Sequence, residues 1–226
     1  VTVTPSAGRV TVRVAIIGGH GKVAMHLSRM LSDQDQQVTG IVRNPDHVDE
    51  VAAAGAEPVV ADVEDLTTSQ LADLLAGHDV VVWSAGAGGD NPARTYAVDR
   101  DAAARSMDAA ATAGVDRYVM VSYFGAGPGH GVPSDSSFFP YAEAKAAADT
   151  HLRQSPLAWT ILGPSGLTDE PGTGAIEVGD DLESGEVPRE DVAAVAFAVL
   201  HDPATIGRTI EFNAGTVPAA EAVLRR

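Results

Sequence analysis

Residues 14–24, Val-Ala-Ile-Ile-Gly-Gly-His-Gly-Lys-Val-Ala, constrain this chain more than any other stretch: an apolar strand runs into three glycines that open an amphipathic helix. The pattern predicts a turn in which Gly18 and Gly19 leave the strand at dihedral angles that residues with a Cβ avoid, while Gly21 bares the first helix amides to an anion. Ala24, small but not glycine, lets the helix pack closely on the strand. Such a strand-to-helix junction is a dinucleotide-binding turn, readable as Gly18-x-x-Gly21-x-x-Ala24 or Gly19-x-Gly21-x-x-Ala24. Gly21-Lys22 also resembles the glycine-lysine pair of a triphosphate loop. That loop needs a glycine five residues earlier and a hydroxyl after the lysine, where this chain has Ile16 and Val23.

Short Val- and Ile-rich runs recur between helical patterns along the rest of the chain, which predicts an α/β fold: a doubly wound Rossmann-type sheet, mostly parallel, with helices on both faces. About seven strands are expected, near 11–17, 37–42, 57–61, 79–84, 117–122, 157–162 and 208–213. Helices are expected over 21–32, 46–54, 67–76, 92–113, 140–154 and 189–201, with another near the C-terminus. Asn91-Pro92 reads as a cap followed by a first helical residue, and Gly77 and Gly114 follow helix ends. With 226 residues and no flexible linker, residues 1–226 read as one domain. A formal charge of -16 argues against nucleic acid as a partner. The absence of cysteine removes thiol chemistry. No apolar run approaches the ~20 residues of a membrane span, and residues 1–9 carry no signal-peptide core, so a cytoplasmic protein without membrane contact is expected. Asp180-Asp181 lacks partners at metal-ligand spacing, and no metal is expected.

Two segments break the alternation, and both follow late strands. Residues 125–139 are dense in Gly, Pro and Ser; residues 164–188 carry Asp169, Glu170, Glu177, Asp180, Asp181, Glu183 and Glu186 with no Lys or Arg. In an open α/β sheet ligands bind beyond the carboxyl ends of the strands, which places a small-molecule substrate between these segments. The second strand ends at Arg43, where NAD-preferring sites usually carry an acid. A guanidinium there can grip a 2'-phosphate with forked donors, which favours NADP over NAD. Lys22 can add positive potential, although a solvated first-turn lysine reads equally well, and His20 is expected to matter through its backbone. Asp62 and Val63, after the third strand, are placed to border an adenine. Ser84, Ala85 and Gly86, after the fourth, allow close contact with the cofactor.

Tyr141 and Lys145 stand four apart at the start of a helix and so share a face. A tyrosine doing acid–base work needs its phenolate stabilised, which a nearby ammonium does. Lys145 can also bond a nicotinamide ribose. Ser122, ending the fifth strand, can orient a carbonyl while hydride moves and Tyr141 supplies a proton. Five aromatics, Tyr123, Phe124, Phe138, Phe139 and Tyr141, crowd one short stretch, which predicts an apolar carbonyl compound as substrate. His130, in the same stretch, reads as a solvated loop histidine.

On Gly18-Gly19-His20-Gly21-Lys22-Val23, Arg43, Asp62-Val63, Ser84-Ala85-Gly86, Ser122, Tyr141 with Lys145, and Arg189-Glu190-Asp191-Val192-Ala193, the chain resembles the short-chain dehydrogenase/reductase superfamily. The resemblance is closer to its atypical, NAD(P)H-binding members and covers nearly the whole length. It implies a seven-stranded sheet, Ser122 and Tyr141 near the reacting carbon, Lys145 on the ribose, and Pro164, Ser165 and Gly166 near the nicotinamide. The chain departs from that pattern in the wide spacing of Ser122 and Tyr141 and in Ala24 at the third glycine position. An NADP-dependent oxidoreductase is the expected function. A nonenzymatic NADP(H) sensor and a nucleotide-sugar epimerase are the alternatives.

Overall fold

Along the first strand, β1 (Arg13–Ile17), Val14 and Ile16 belong to one hydrophobic core and Ala15 and Ile17 to another, because successive side chains point to opposite faces and both faces are covered. The computed structural model describes residues 11–88, 91–179 and 181–225. The expectation for residues 1–9 and the Asp180 half of Asp180-Asp181 lie outside them.

In chain order, β1 is followed by α1 (Lys22–Ser32), β2 (Gln37–Val42), α2 (Val48–Ala53), β3 (Glu57–Val60), α3 (Thr68–Leu75) and β4 (Val80–Trp83). Next come α4 (Pro92–Thr95), a π-helical turn (Tyr96–Ala102), α5 (Ala103–Ala113), β5 (Arg117–Val121), α6 (Phe139–Gln154) and β6 (Ala158–Pro164). Three short strands follow, β7 (Gly166–Thr168), β8 (Ala175–Glu177) and β9 (Glu186–Pro188). The chain then closes with α7 (Arg189–His201), β10 (Arg208–Ala214), β11 (Val217–Pro218) and α8 (Ala219–Ala222).

The main sheet has nine strands in the order β11-β8-β10-β6-β5-β4-β1-β2-β3. Its seven long members pair in parallel, as expected, from β3 through β10. The two additional strands are antiparallel, β8 pairing with both β10 and β11 at one edge. Strands β7 and β9 form a separate parallel pair. Segment 164–188, expected as a loop, therefore holds three strands of three residues each, too short to show periodicity. The fold is the expected Rossmann-type α/β architecture, and the order reverses between β1 and β4, which opens a crevice at their carboxyl ends.

Helices α1 and α7 cover one face, where Leu27, Leu31, Val192, Val195 and Val199 pack on Val14, Ile16, Val82 and Val119. Helices α3, α5 and α6 cover the other through Leu71, Leu75, Met107 and Leu152 against Ile17, Val81, Trp83 and Ile161. Each fully buried Leu or Ile contributes about 2 kcal/mol. Local signals agree with these elements. Thr67 and Gln70 form a capping box on α3, Asn91 Oδ1 accepts from Arg94 N ahead of α4, and Gly114 closes α5 in the left-handed region. The expected helix over 92–113 is continuous but wound as a π-helix at its centre, and this turn carries Asp99 inward.

Candidate active site

The Gly18 turn wedges between neighbouring strands. Gly18 adopts φ +87°, and a Cβ there would lie 2.6 Å from Ala85 Cα and N. Gly19 departs from expectation, because it does not occupy the positive-φ region. Its need for glycine is steric: a Cβ would stand 2.7 Å from Gly40 Cα of β2, and Gly40 is itself closed in by Val51. The amides of Gly18 and Gly19 both donate to Ile41 O, at 3.1 and 2.9 Å, pinning the turn to β2. Gly21 caps α1 and has no side chain to occupy the first-turn amides, which lack intrahelical acceptors. The amide of Val23 belongs to that turn; its side chain lies in the core.

Around this turn the strand ends form an open cleft of ≈ 220 Å³. Gly18, His20, Gly21, Arg43, Asp62, Val63, Ser84, Ala85 and Gly86, all expected from sequence, line it together with Asn44, His47, Glu64 and Arg94. Arg43 makes a long contact to Glu64 Oε1, 3.5 Å, its one side-chain bond among the described residues, while Glu64 is bonded more closely by Arg94 Nε at 2.9 Å. Asp62 accepts from Glu64 N at 3.0 Å and so shapes the turn after β3. The ring of His20 does more than expected: it stacks on His47 with centroids 3.5 Å apart and contacts Glu50 at 3.1 Å. Donor amides at a helix start, small residues where backbone must approach closely, and a guanidinium at the β2 end together fit a dinucleotide.

Gly19, Lys22, Val23, Ser122, Tyr141, Lys145, Pro164, Ser165 and Gly166 do not line this cleft. Lys22 Nζ instead bonds Asp169 Oδ2 at 2.5 Å, and Asp169 Oδ1 accepts from Arg189 at 2.7 Å, so segment 164–188 is tied to the start of α1. Pro164 continues β6 in register with Phe212, and Ser165 and Gly166 bond the strand across from them through Gly185.

Ser122, Tyr141 and Lys145 come together in a second cluster, beside α6, with two residues the sequence reading passed over, Asp99 and Asp149. Lys145 is 1 % exposed and donates to Val121 O at 2.8 Å, with Met120 Sδ at 3.3 Å. Among the described residues no carboxylate lies within ion-pair distance of it; Asp99 and Asp149 act on its charge from farther away. Burial pushes Lys145 down and both aspartates up. Tyr141 is pushed well above the usual phenol range by burial first, then by Asp99, Asp149 and Tyr123. This departs from the expected pairing: Lys145 spends its hydrogen bond on Val121 O, and among the described residues none joins it to the phenol. Ser122 Oγ lies 2.6 Å from Asp149 Oδ2, so the hydroxyl is engaged by a buried carboxyl that the expected role did not include.

Asp99 joins the two regions. Its Oδ2 accepts from Ala87 N at 3.0 Å, and a Cβ on Gly86 in the cleft wall would stand 3.3 Å from its Oδ1. Both aspartates had a signal. Asp149 falls four after Lys145 on one helix face, and Asp99 interrupts a helix that is otherwise small and apolar on its inner side.

Three of the five concentrated aromatics form a contact cluster, while Phe139 meets His130. Tyr123 lies edge-on to Phe138 at 5.3 Å, and Tyr141 meets Tyr123 at 5.6 Å and Phe138 at 5.3 Å. His130 departs from expectation. Its side chain is only 6 % exposed, Nδ1 accepts from Val132 N and Nε2 donates to Glu143, so it fastens segment 125–139 to α6.

A family model for NAD(P)H-binding proteins matches residues 18–203. The chain belongs to the NAD(P)H-binding family. It is 36 % identical over 214 residues to an uncharacterized sugar epimerase, YhfK, of Bacillus subtilis, covering 93 % of this chain and 98 % of that one. Among solved structures, a putative NAD-dependent epimerase/dehydratase from Bacillus halodurans superposes with TM-score 0.86 at 31 % identity, covering 94 % of this chain and 98 % of that one. The oxidoreductase ylbE from Lactococcus lactis does so with TM-score 0.83 at 28 % identity, covering 93 % and 94 %. The resemblance to atypical short-chain dehydrogenase/reductases is thus a family membership, and it agrees with the cleft and strand order. No helix among the described residues is long and apolar enough to cross a membrane.

Proposed function

We propose that the protein is an NADP-dependent oxidoreductase that reduces a small apolar carbonyl compound, with Tyr141 as proton donor. One observation carries this reading: Tyr141, in ring contact with Tyr123 and Phe138, stands in one cluster beside α6 with Ser122 and the buried Lys145. A phenol carries its proton at neutral pH and can donate it to an oxygen becoming an alkoxide. The bound dinucleotide would supply the hydride. Gly18, Gly21 and the first amides of α1 would hold its pyrophosphate, Arg43 its 2'-phosphate, and Ala85 and Gly86 would let it pass toward the α6 cluster. The rings of Tyr123, Phe138 and Tyr141 would exclude water from the reacting carbon and favour an apolar substrate.

Titration of the protein with NADPH and NADH, followed by a carbonyl screen with Tyr141→Phe, tests the proposal. NADPH is expected to bind about tenfold tighter, or ~1.4 kcal/mol, through the Arg43 guanidinium. Equal affinities would remove the Arg43 argument. Tyr141→Phe is expected to lower turnover by about 10²-fold or more, as loss of a general acid does. Undiminished turnover would take Tyr141 out of the mechanism.

A further inference from the structure

The α6 cluster holds two carboxyls, Asp99 and Asp149, and one ammonium, Lys145, all at most 1 % exposed. If all three were charged, the interior would carry one unmatched negative charge, which a low-dielectric site relieves by binding a proton. The hydrogen-bond partners decide where that proton can sit. Asp99 Oδ2 receives a backbone N–H from Ala87, so a proton on Asp99 would sit on Oδ1, for which no described residue offers an acceptor. Asp149 Oδ1 likewise has none among the described residues, but Asp149 Oδ2 faces the hydroxyl of Ser122 at 2.6 Å. A hydroxyl can accept as well as donate. The Asp149–Ser122 contact is therefore the one in the pair that survives protonation of the acid with its direction reversed.

We propose that Asp149 is a positioning residue that holds a proton against Ser122 and thereby sets where the Ser122 hydrogen points. With the proton on Asp149, the carboxyl donates to Ser122 Oγ, and the hydrogen of Ser122 is released to bond a carbonyl oxygen. With Asp149 ionised, Ser122 donates inward and offers a substrate only lone pairs. The inference rests on the reductase reading for the identity of the group that Ser122 meets, but the position of the proton does not depend on it. The groups that bear on Asp149 are Lys145 and Arg153 from α6 itself and Ser122 from the end of β5. Asp149 acts in turn on Tyr123 and Tyr141. The π turn contributes Asp99, which acts on Lys145 and Tyr141.

Infrared spectroscopy of the protein without cofactor or substrate, at neutral pH, tests this. Exposed carboxyls are ionised there, so a carboxylic-acid C=O band reports a buried protonated acid. A band is expected in the wild type, displaced in Ser122→Ala, because Ser122 touches Asp149 and not Asp99, and absent in Asp149→Asn. Ser122→Cys, a weaker acceptor, is expected to displace the band in the same direction and serves if Ser122→Ala does not fold. No band in the wild type, a band unmoved by the Ser122 variants, or one that persists in Asp149→Asn would overturn the proposal. If no carbonyl probe is turned over with NADPH, the reductase reading falls while the spectrum still places the proton. If the spectrum fails, NADPH-dependent reduction is untouched.

Discussion

Asp99 is buried with an oxygen that no donor among the described residues meets, and burial raises it against the partial relief given by Lys145, Ala87 N and Arg94. The folded cluster of Asp99, Lys145 and Asp149 therefore binds a proton more tightly than the unfolded chain does. Its stabilising contribution is complete below the ordinary carboxylate value of about 4 and is lost as pH rises through the elevated folded value. Asp99→Asn keeps an acceptor for Ala87 N and leaves Lys145 facing Asp149 alone, with no unmatched charge. The variant is expected to melt at a higher temperature than the wild type at pH 8, with the difference vanishing toward pH 4. Thermal scans across that range check it, and a constant difference would show that the charge of Asp99 is not what matters. At this scale the glycine turn, Arg43 and the Tyr141–Lys145 spacing were legible because each is local in sequence. The direction of Lys145 was not. Whether an ammonium turns toward a phenol at i−4 or into the core depends on Val121 O and Asp99, brought in by other elements, and on Asp149 one turn farther along α6.

Elements were legible wherever a long strand is buried on both faces, as for β1, β4 and β5, since such runs are continuously apolar. They were not legible in 164–188, where β7, β8 and β9 exist because neighbours hold them. Asp191, fully buried at the start of α7, accepts from the amides of Thr173 and Gly174 at 3.2 and 2.7 Å, and Glu190 accepts from Gly172 N at 2.9 Å. The segment leading into β8 is thus fastened to a helix. Asp191→Ala strands those donors and is expected to destabilise the protein by about 2–3 kcal/mol. Hydrogen exchange should quicken first at residues 172–177. Unchanged exchange there would mean that β8 is held by its pairing with β10 and β11 alone.

Over the whole molecule, a formal charge of -16 opposes the approach of any anionic dinucleotide, while Arg43 and the α1 amides attract it at short range. Salt separates the two, since the Debye length is about 10 Å at 0.1 M and shrinks as salt is added. Raising salt from about 20 to about 200 mM is expected to speed association of both NADPH and NADH while narrowing the affinity gap between them. Stopped-flow fluorescence reads both quantities. Association that slows with salt would show that local cations govern the encounter.

The clamp on 171–175 also bears on descent. A Cβ on Gly172 would lie 2.8 Å from both Asp191 Oδ1 and Glu190 Cβ, so a side chain there would displace the acidic pair that holds the segment. Segment 125–139 is held at its middle by His130 and at its start by Glu211, which accepts from Gly125 N. A lineage that keeps the dinucleotide turn and changes what it acts on has its room for variation there, and little at 171–175.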